Sequence, residues 1–283
     1  MLKIFHHPIA EGYRLFDFIL QSPSYRFSSI EECNLILHSK IIWGEEKKAI
    51  NKTLSNLAKS YTTAKPILLF IVADYEGKLK VPARFILMRT SLNRSTQHPK
   101  EIPFPYIWDN YKHPFEPVEK RGLPAVGFCG LASKPRRRII KYFQESEAVQ
   151  ADFICREKFW GGKPHDENFI REFDENVARN MYILAPRGKG NFSMRFYQSL
   201  SAGRIPVLTD TDTVLPFAEK IPWKEIIIFE KNEKRCLESV LETFHSGRHI
   251  ALQRECREIY DRYFSELNYF YELGKVLNEG CFL

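Results

Sequence analysis

Apolar residues in this chain gather in short runs, and the period of those runs alternates between that of strands and that of helices. The clearest is Ile67-Leu68-Leu69-Phe70-Ile71-Val72. It is unbroken, short and wholly apolar, which predicts a buried strand. A polar turn, Ala73-Asp74-Tyr75-Glu76-Gly77, follows it. Residues 2–5, 29–37 and 85–88 read as further strands. Residues 45–60 read as a helix with Ile50, Leu54 and Leu57 on one face. Prolines then crowd the chain at Pro99, Pro103, Pro105, Pro114, Pro117 and Pro124. Such density opposes regular hydrogen bonding, so residues 99–124 are expected to be an extended linker between two domains.

Beyond the prolines the alternation is plainer. Strands are predicted at 125–130, 151–155, 180–185, 205–208 and 226–229. Helices are predicted at 135–143, 166–176, 193–202, 234–244 and 250–264, the third stopped by Gly203. Strands separated by helices of this length imply a parallel sheet covered on both faces, an α/β fold. The apolar spacing of Leu267, Phe270, Tyr271, Leu273, Val276 and Leu277 predicts a last helix.

Composition narrows the class. Hydrophobic residues make up 44% and charged residues 27% of the 283 residues, the balance of a globular chain with a core. The net charge of +7 favours anionic partners: nucleic acid, an anionic membrane surface or a phosphorylated small molecule. Nucleic acid is set aside, because no RNP-like aromatic pattern, zinc spacing or basic tail is present. The six cysteines form no CxxC pair and are expected to be reduced thiols. The start, Met-Leu-Lys-Ile-Phe-His-His-Pro, lacks a basic flank followed by an apolar run, and residues 66–73, the longest apolar stretch, are too short to span a bilayer. The expectation is a cytoplasmic protein or a piece of a longer parent.

The chemistry concentrates in residues 182–217. A strand, Tyr182 to Leu184, feeds a loop with Arg187, Gly188, Lys189 and Gly190, and a helix opens near Ser193. Glycines permit close backbone approach, and a helix start offers free N–H groups to an anion. Arg187, Lys189 and Arg195 add charge, which makes a diphosphate site. The plainer alternative is a turn with Ser193 as a cap. Neither GxxxxGK[ST] nor GxGxxG is present, so the familiar phosphate loops are excluded.

This stretch resembles the signature of exostosin-family glycosyltransferases. The matching pieces are Pro186-Arg187-Gly188, Ser193, Arg195-Phe196, Ser199-Leu200, Ala202-Gly203, Ile205-Pro206-Val207, Leu215-Pro216-Phe217 and Trp223. Phe128-Cys129-Gly130 with Arg136 to Arg138 extends the likeness upstream, so that it covers roughly residues 125–265; the first 120 residues resemble the family only weakly. One departure is Gln198, where the family usually has an acidic residue that binds the donor ribose.

The resemblance implies a GT-B architecture, two Rossmann-like domains facing a cleft. The expected division is an acceptor-side domain at 1–118, a nucleotide-sugar domain at 119–265 and a helix at 266–283 returning to the first domain. It also implies an inverting transfer from a nucleotide-sugar co-substrate, a UDP-sugar by preference, to a glycan or glycolipid acceptor. No metal or other cofactor is expected, and the site of work is the cytoplasm or the inner face of a membrane. Without a metal, cations and N–H dipoles must hold the leaving diphosphate. The donor set is Gly130, Arg138, Arg156, Arg187, Gly190, Asn191, Ser193, Arg195 and Gln198. Three consecutive arginines cannot all face one site, and Arg138 is preferred over Arg136 and Arg137. Asp74, then Glu76, then His7 are the expected acceptor bases. Asp210-Thr211-Asp212 has the spelling of a metal-binding DxD, but a turn facing the donor is preferred. Gln198 also keeps open an inactive homologue that only binds a ligand.

Overall fold

The six apolar residues of Ile67–Val72 are all buried, and they form the middle of the first of two sheets. In this computed structural model the described residues are all except 7–13, 45, 106–110, 112, 113, 120, 121, 164, 165 and 281–283. They fall into two units: Met1–Pro105 with Asp212–Pro216 and Arg262–Leu283, and Tyr106–Thr211 with Phe217–Asp261.

The first unit runs β1 (Leu2–His6), α1 (Arg14–Gln21), β2 (Tyr25–Phe27), β3 (Leu35–Leu37), β4 (Ile42–Trp43), α2 (Lys47–Ser60), β5 (Ile67–Val72), β6 (Phe85–Arg89) and β7 (Glu101–Pro103). The strands are parallel in the order β2-β1-β3-β5-β6-β7, with β4 also on β5. Alternate residues of β5 serve opposite faces. Leu69 and Ile71 join Ile36, Ile50, Leu54 and Leu87 in the core beneath α2. Phe70 packs edge-on against Phe16 of α1, at 6.2 Å, and against Phe104, at 5.1 Å.

Sequence period misread three places here. Of residues 29–37 only Leu35–Leu37 are strand; before them, Cys33 N–H bonds the Ser29 carbonyl in a turn. The brief α1 and β2 had not been expected. The proline-rich stretch is not all linker, since β7 lies within it. As an edge strand of the sheet, β7 tolerates Pro103.

The second unit holds β8 (Ala125–Leu131), α3 (Lys134–Gln144), β9 (Gln150–Arg156), α4 (Glu167–Arg179), β10 (Tyr182–Leu184), α5 (Met194–Ser201), β11 (Ile205–Thr209), α6 (Trp223–Ile226), β12 (Ile228–Glu230), α7 (Glu233–His245) and α8 (His249–Ile259). Its five parallel strands are ordered β12-β11-β10-β8-β9. The chain thus moves from β8 outward to β9, then crosses back over β8 to β10. Gly203, at φ +62, ends α5 in the left-handed conformation suited to glycine. Several described residues of the proline-rich stretch are pinned along this unit. Arg204 donates to the Glu116 carbonyl (2.9 Å), and Val118 exchanges two hydrogen bonds with the Gln253 amide.

After α8 a π-helical turn, Tyr260–Phe264, leads to α9 (Glu266–Glu279), which belongs to the first unit. There Phe270 stacks on Phe18 of α1 at 6.5 Å, and Tyr269 meets Phe104 at 6.1 Å. No helix among the described residues is long and apolar enough to cross a membrane.

Candidate functional site

In an open parallel sheet, ligands collect at the carboxyl ends of the two strands where the chain reverses its direction of travel. In the second unit those strands are β8 and β10. Beyond β8 lie Ser133 and the start of α3; beyond β10 lie residues 185–192, Ser193 and the start of α5. The topology therefore brings two helix N-termini to one sheet edge, each with unpaired N–H groups and a partial positive charge.

Both helices carry a serine at the N-cap position, and neither serine caps its helix. The Ser133 and Ser193 hydroxyl oxygens are buried and have no hydrogen-bond partner among the described residues. A buried hydroxyl without a partner costs about 1–3 kcal/mol. A ligand oxygen would recover that cost at both positions.

An arginine follows each serine in the first turn of its helix, Arg136 after Ser133 and Arg195 after Ser193. Arg195, in the first turn of α5, donates from Nε to the Cys129 carbonyl (2.8 Å) and lies over the Phe128 ring, 4.7 Å from its centroid. Its guanidinium occupies the space a side chain at residue 130 would fill. Gly130 has φ +139, and a Cβ there would collide with it. Arg136, buried on the inner face of α3, donates to the Arg187 carbonyl (3.2 Å) and to the Leu131 carbonyl (3.0 Å). Among the described residues no carboxylate pairs with Arg136 or Arg195. Burial, then the charge of Arg136, pushes the Arg195 pKa down to about 9; burial also lowers that of Arg136. A guanidinium remains charged at neutral pH in either case. The result is two cations, partly or wholly buried, that repel each other and have no carboxylate counter-ion among the described residues.

The loop between β10 and α5 is braced from inside. Gly188 N–H bonds the Phe192 carbonyl at 3.0 Å, and Arg187 reaches the Lys189 carbonyl at 2.9 Å. Asn191, 1% exposed, donates to the Thr211 carbonyl (2.8 Å) and accepts from the Thr211 hydroxyl (2.5 Å). Its amide thus braces the loop. Gln198 is buried one turn further along α5, and Gly190 is buried within the loop.

The structure therefore gathers Gly130, Arg187, Gly190, Asn191, Ser193, Arg195 and Gln198 at the ends of β8 and β10. Arg156 is close enough for its charge to act on Arg195, but it is engaged by Glu172 at 2.5 Å and by the Phe169 ring at 4.2 Å. Arg138 is not brought in. It is exposed and pairs with Glu233 of α7 at 3.1 Å. Of the three consecutive arginines the inward one is Arg136, because its helical face is shared with Ile139, Ile140 and Phe143. Sequence reasoning also missed Ser133, although Ser-Lys-Pro before an amphipathic run is a helix-start signal.

Asp74 and Glu76 lie in the turn after β5, in the first unit, with Asp74 exposed. Buried Arg89 holds that turn through the Tyr75 carbonyl (2.7 Å) and the Gly77 carbonyl (3.2 Å), while pairing with buried Glu101 at 2.6 Å. His7 lies outside the described residues. Asp212 is engaged within the first unit. Its carboxylate accepts from the Ser95 hydroxyl (2.5 Å) and lies 3.7 Å from Arg94 Nε, all within the first unit. Among the described residues no group of three or more His, Cys, Asp or Glu is placed to hold a metal ion.

No family model matches the sequence. The Exostosin-1 homolog of Caenorhabditis elegans is 34% identical over 104 residues, 36% of this chain and 27% of that protein. Exostosin-1 of Drosophila melanogaster is 35% identical over 149 residues, 49% of this chain and 19% of that protein. A probable glucuronosyltransferase of Oryza sativa subsp. japonica is 41% identical over 59 residues, 21% of this chain and 14% of that protein. The chain thus matches 27% or less of the length of these curated relatives. Among solved structures, WaaG, a glycosyltransferase involved in lipopolysaccharide biosynthesis, aligns with 99% of this chain and 100% of its own at 12% identity and a TM-score of 0.45. The α/β assignment rests instead on the two parallel sheets of the chain itself. Over as much as 49% of its length, this chain is similar in sequence to exostosins.

Proposed function

We propose that this protein is a glycosyltransferase whose second unit holds the diphosphate of a nucleotide-sugar donor at the carboxyl ends of β8 and β10. The observation that carries the reading is the pair of guanidinium groups, Arg136 and Arg195, at two helix starts whose serine hydroxyls are buried; among the described residues the cations have no carboxylate partner and the hydroxyls no hydrogen-bond partner. Breaking a buried ion pair by removing one partner costs about 3–5 kcal/mol. A site built with the cations alone is therefore complementary to an anion that arrives as ligand. Two helix N-termini and two hydroxyls suit two adjacent phosphates better than one carboxylate.

The exostosin-like sequence supplies the sugar-transfer half of the proposal. We take the donor to be a UDP-sugar, the acceptor a glycan or glycolipid, and the transfer inverting and independent of a metal. Charge developing on the departing diphosphate would then be met by Arg136, Arg195 and the helix N–H groups. Removal of the acceptor proton is assigned to Asp74, exposed in the turn that Arg89 fixes.

Thermal shift against UDP and GDP tests the donor half. At 100 times Kd, UDP should stabilise the protein by about 2.7 kcal/mol. Arg195→Ala should weaken UDP binding about 10- to 100-fold, the worth of a charge-assisted contact. Unchanged affinity in that variant, or no shift with any nucleotide, would sink the site. Asp74→Asn should leave UDP binding intact and slow transfer about 100-fold or more. Equal loss of binding and turnover would move the base elsewhere. A protein that binds UDP yet never hydrolyses or transfers any donor would be the ligand-binding homologue that Gln198 kept open.

A further inference from the structure

Helix α2, within the first unit, carries its charge on one side. It holds four lysines and no acidic residue; the nearest acids along the chain, Glu45 and Glu46, precede its first turn. Lys48, Lys52, Ser55 and Lys59 follow one another at spacings of four, three and four, so they share one face of the helix. All four are exposed. The opposite face, with Ile50 and Leu54 buried and Leu57 packed beside them, covers the sheet of the same unit. From Lys48 to Lys59 the row runs about 16 Å. A second cationic segment lies next to it. The Lys80 N–H is bonded to Asn51 Oδ1 at 2.8 Å, and Leu79 is buried in the core beneath α2, which brings exposed Lys78 and Lys80 to the row. The exposed cations of α3 differ, because carboxylates answer them: Glu233 meets Arg138 at 3.1 Å and Glu145 meets Lys141 at 3.6 Å.

We propose that the exposed face of α2, together with Lys78 and Lys80, is a docking surface for an anionic lipid bilayer. A row of one sign attracts a partner that carries many charges of the other. Three features select a bilayer over a nucleic acid or an acidic polysaccharide. The cations are all lysines, hydrated point charges suited to a diffuse field, whereas phosphate or sulfate groups held at fixed positions favour the arginine fork. No aromatic residue lies in α2 to stack on a base or a sugar. A helix face is convex, so a row along it meets a flat surface over its whole length, where a single chain would need a groove. The inference goes beyond the donor-site reading and does not rest on it.

Co-sedimentation of the full chain with vesicles tests it, using phosphatidylcholine alone and phosphatidylcholine with one-third phosphatidylglycerol. The chain should bind only the anionic vesicles, and high salt should release it. Each lysine at an anionic surface strengthens binding about fivefold, so Lys48→Gln/Lys52→Gln/Lys59→Gln should weaken it about 100-fold. Glutamine keeps the helix propensity of lysine, and an unchanged melting temperature checks that the variant is folded. Lys78→Gln/Lys80→Gln, outside the helix, should weaken binding about 20-fold. The α3 variant Lys134→Gln/Arg138→Gln/Lys141→Gln should bind at least about tenfold better than the α2 variant. Equal losses in the two would trace binding to net charge alone and overturn the proposal. No binding to anionic vesicles, or equal binding to neutral ones, would overturn it as well. Retention by dextran sulfate that the α2 variant loses, with no vesicle binding, would give the row to a soluble polyanion instead. A UDP thermal shift that persists where vesicle binding fails would leave the donor site standing, so the two readings fail separately.

Discussion

Gly130 and Arg195 define one another. The glycine backbone, at φ +139, lies where few side chains are tolerated, and the arginine fills the space that a Cβ would need. Gly130→Ala therefore meets two penalties, a strained backbone worth about 1–3 kcal/mol and a displaced guanidinium. The variant should melt lower without ligand and lose most of its UDP-induced thermal shift. An alanine variant that binds UDP like the wild type would show that Arg195 works from another position. The sequence displayed both residues, and the strand-ending glycine was read as part of the donor site. Their mutual contact was not readable, since 65 residues separate them and only the pairing of β8 with β10 brings α5 over β8. The same applies to Arg136 against Arg138. Helical spacing said that one of three arginines could face inward, but the choice depended on which face of α3 packs on the sheet.

Elements set the next level, and the turn after β5 shows how a loop is held by what lies behind it. Arg89 ends β6 and Glu101 starts β7; both are buried, with side chains 2% and 0% exposed. Their ion pair joins the two strands, and Arg89 also ties down the turn that carries Asp74 and Glu76. Replacing Arg89 with Met leaves Glu101 buried without its partner and frees the turn. Global stability should fall by about 3–5 kcal/mol, as read from chemical denaturation. A loss under 1 kcal/mol would mean that water already reaches the pair. Nothing in the periodicity of residues 85–89 marked Arg89 as buried, because a charged residue after four apolar ones reads as the end of a strand. Dense prolines likewise concealed β7, where an edge position removed the usual objection to proline.

At the scale of the molecule, the first unit is completed by the last helix. Gly274 of α9 lies against Ser24 and Tyr25 so closely that a Cβ would meet the Ser24 Cβ, and the Ser24 hydroxyl donates to the Tyr271 carbonyl at 2.9 Å. Helix propensity alone would make Gly274→Ala stabilising by about 1 kcal/mol. Overpacking costs about 1–3 kcal/mol, and the contact is with a Cβ that cannot swing aside, so the steric term should win. The expected outcome is a lower melting temperature; a rise would show that α9 can retreat from β2 at little cost.

The sequence by itself determined the parts whose physics is local. Residues 125–265 carry their strands, helices and glycine stop in the period of their apolar positions, and the glycines and cations of the loop before α5 stand in the sequence itself. Tertiary structure decided everything that depends on strand order. The crossing back over β8 put the start of α3, with Ser133 and Arg136, at the same sheet edge as Ser193 and Arg195, the packed face of α3 turned Arg138 outward, and Asp212 came to Ser95. Periodicity records which side of an element is apolar. It holds no record of which distant element will cover that side, because that contact forms only when the chain closes on itself.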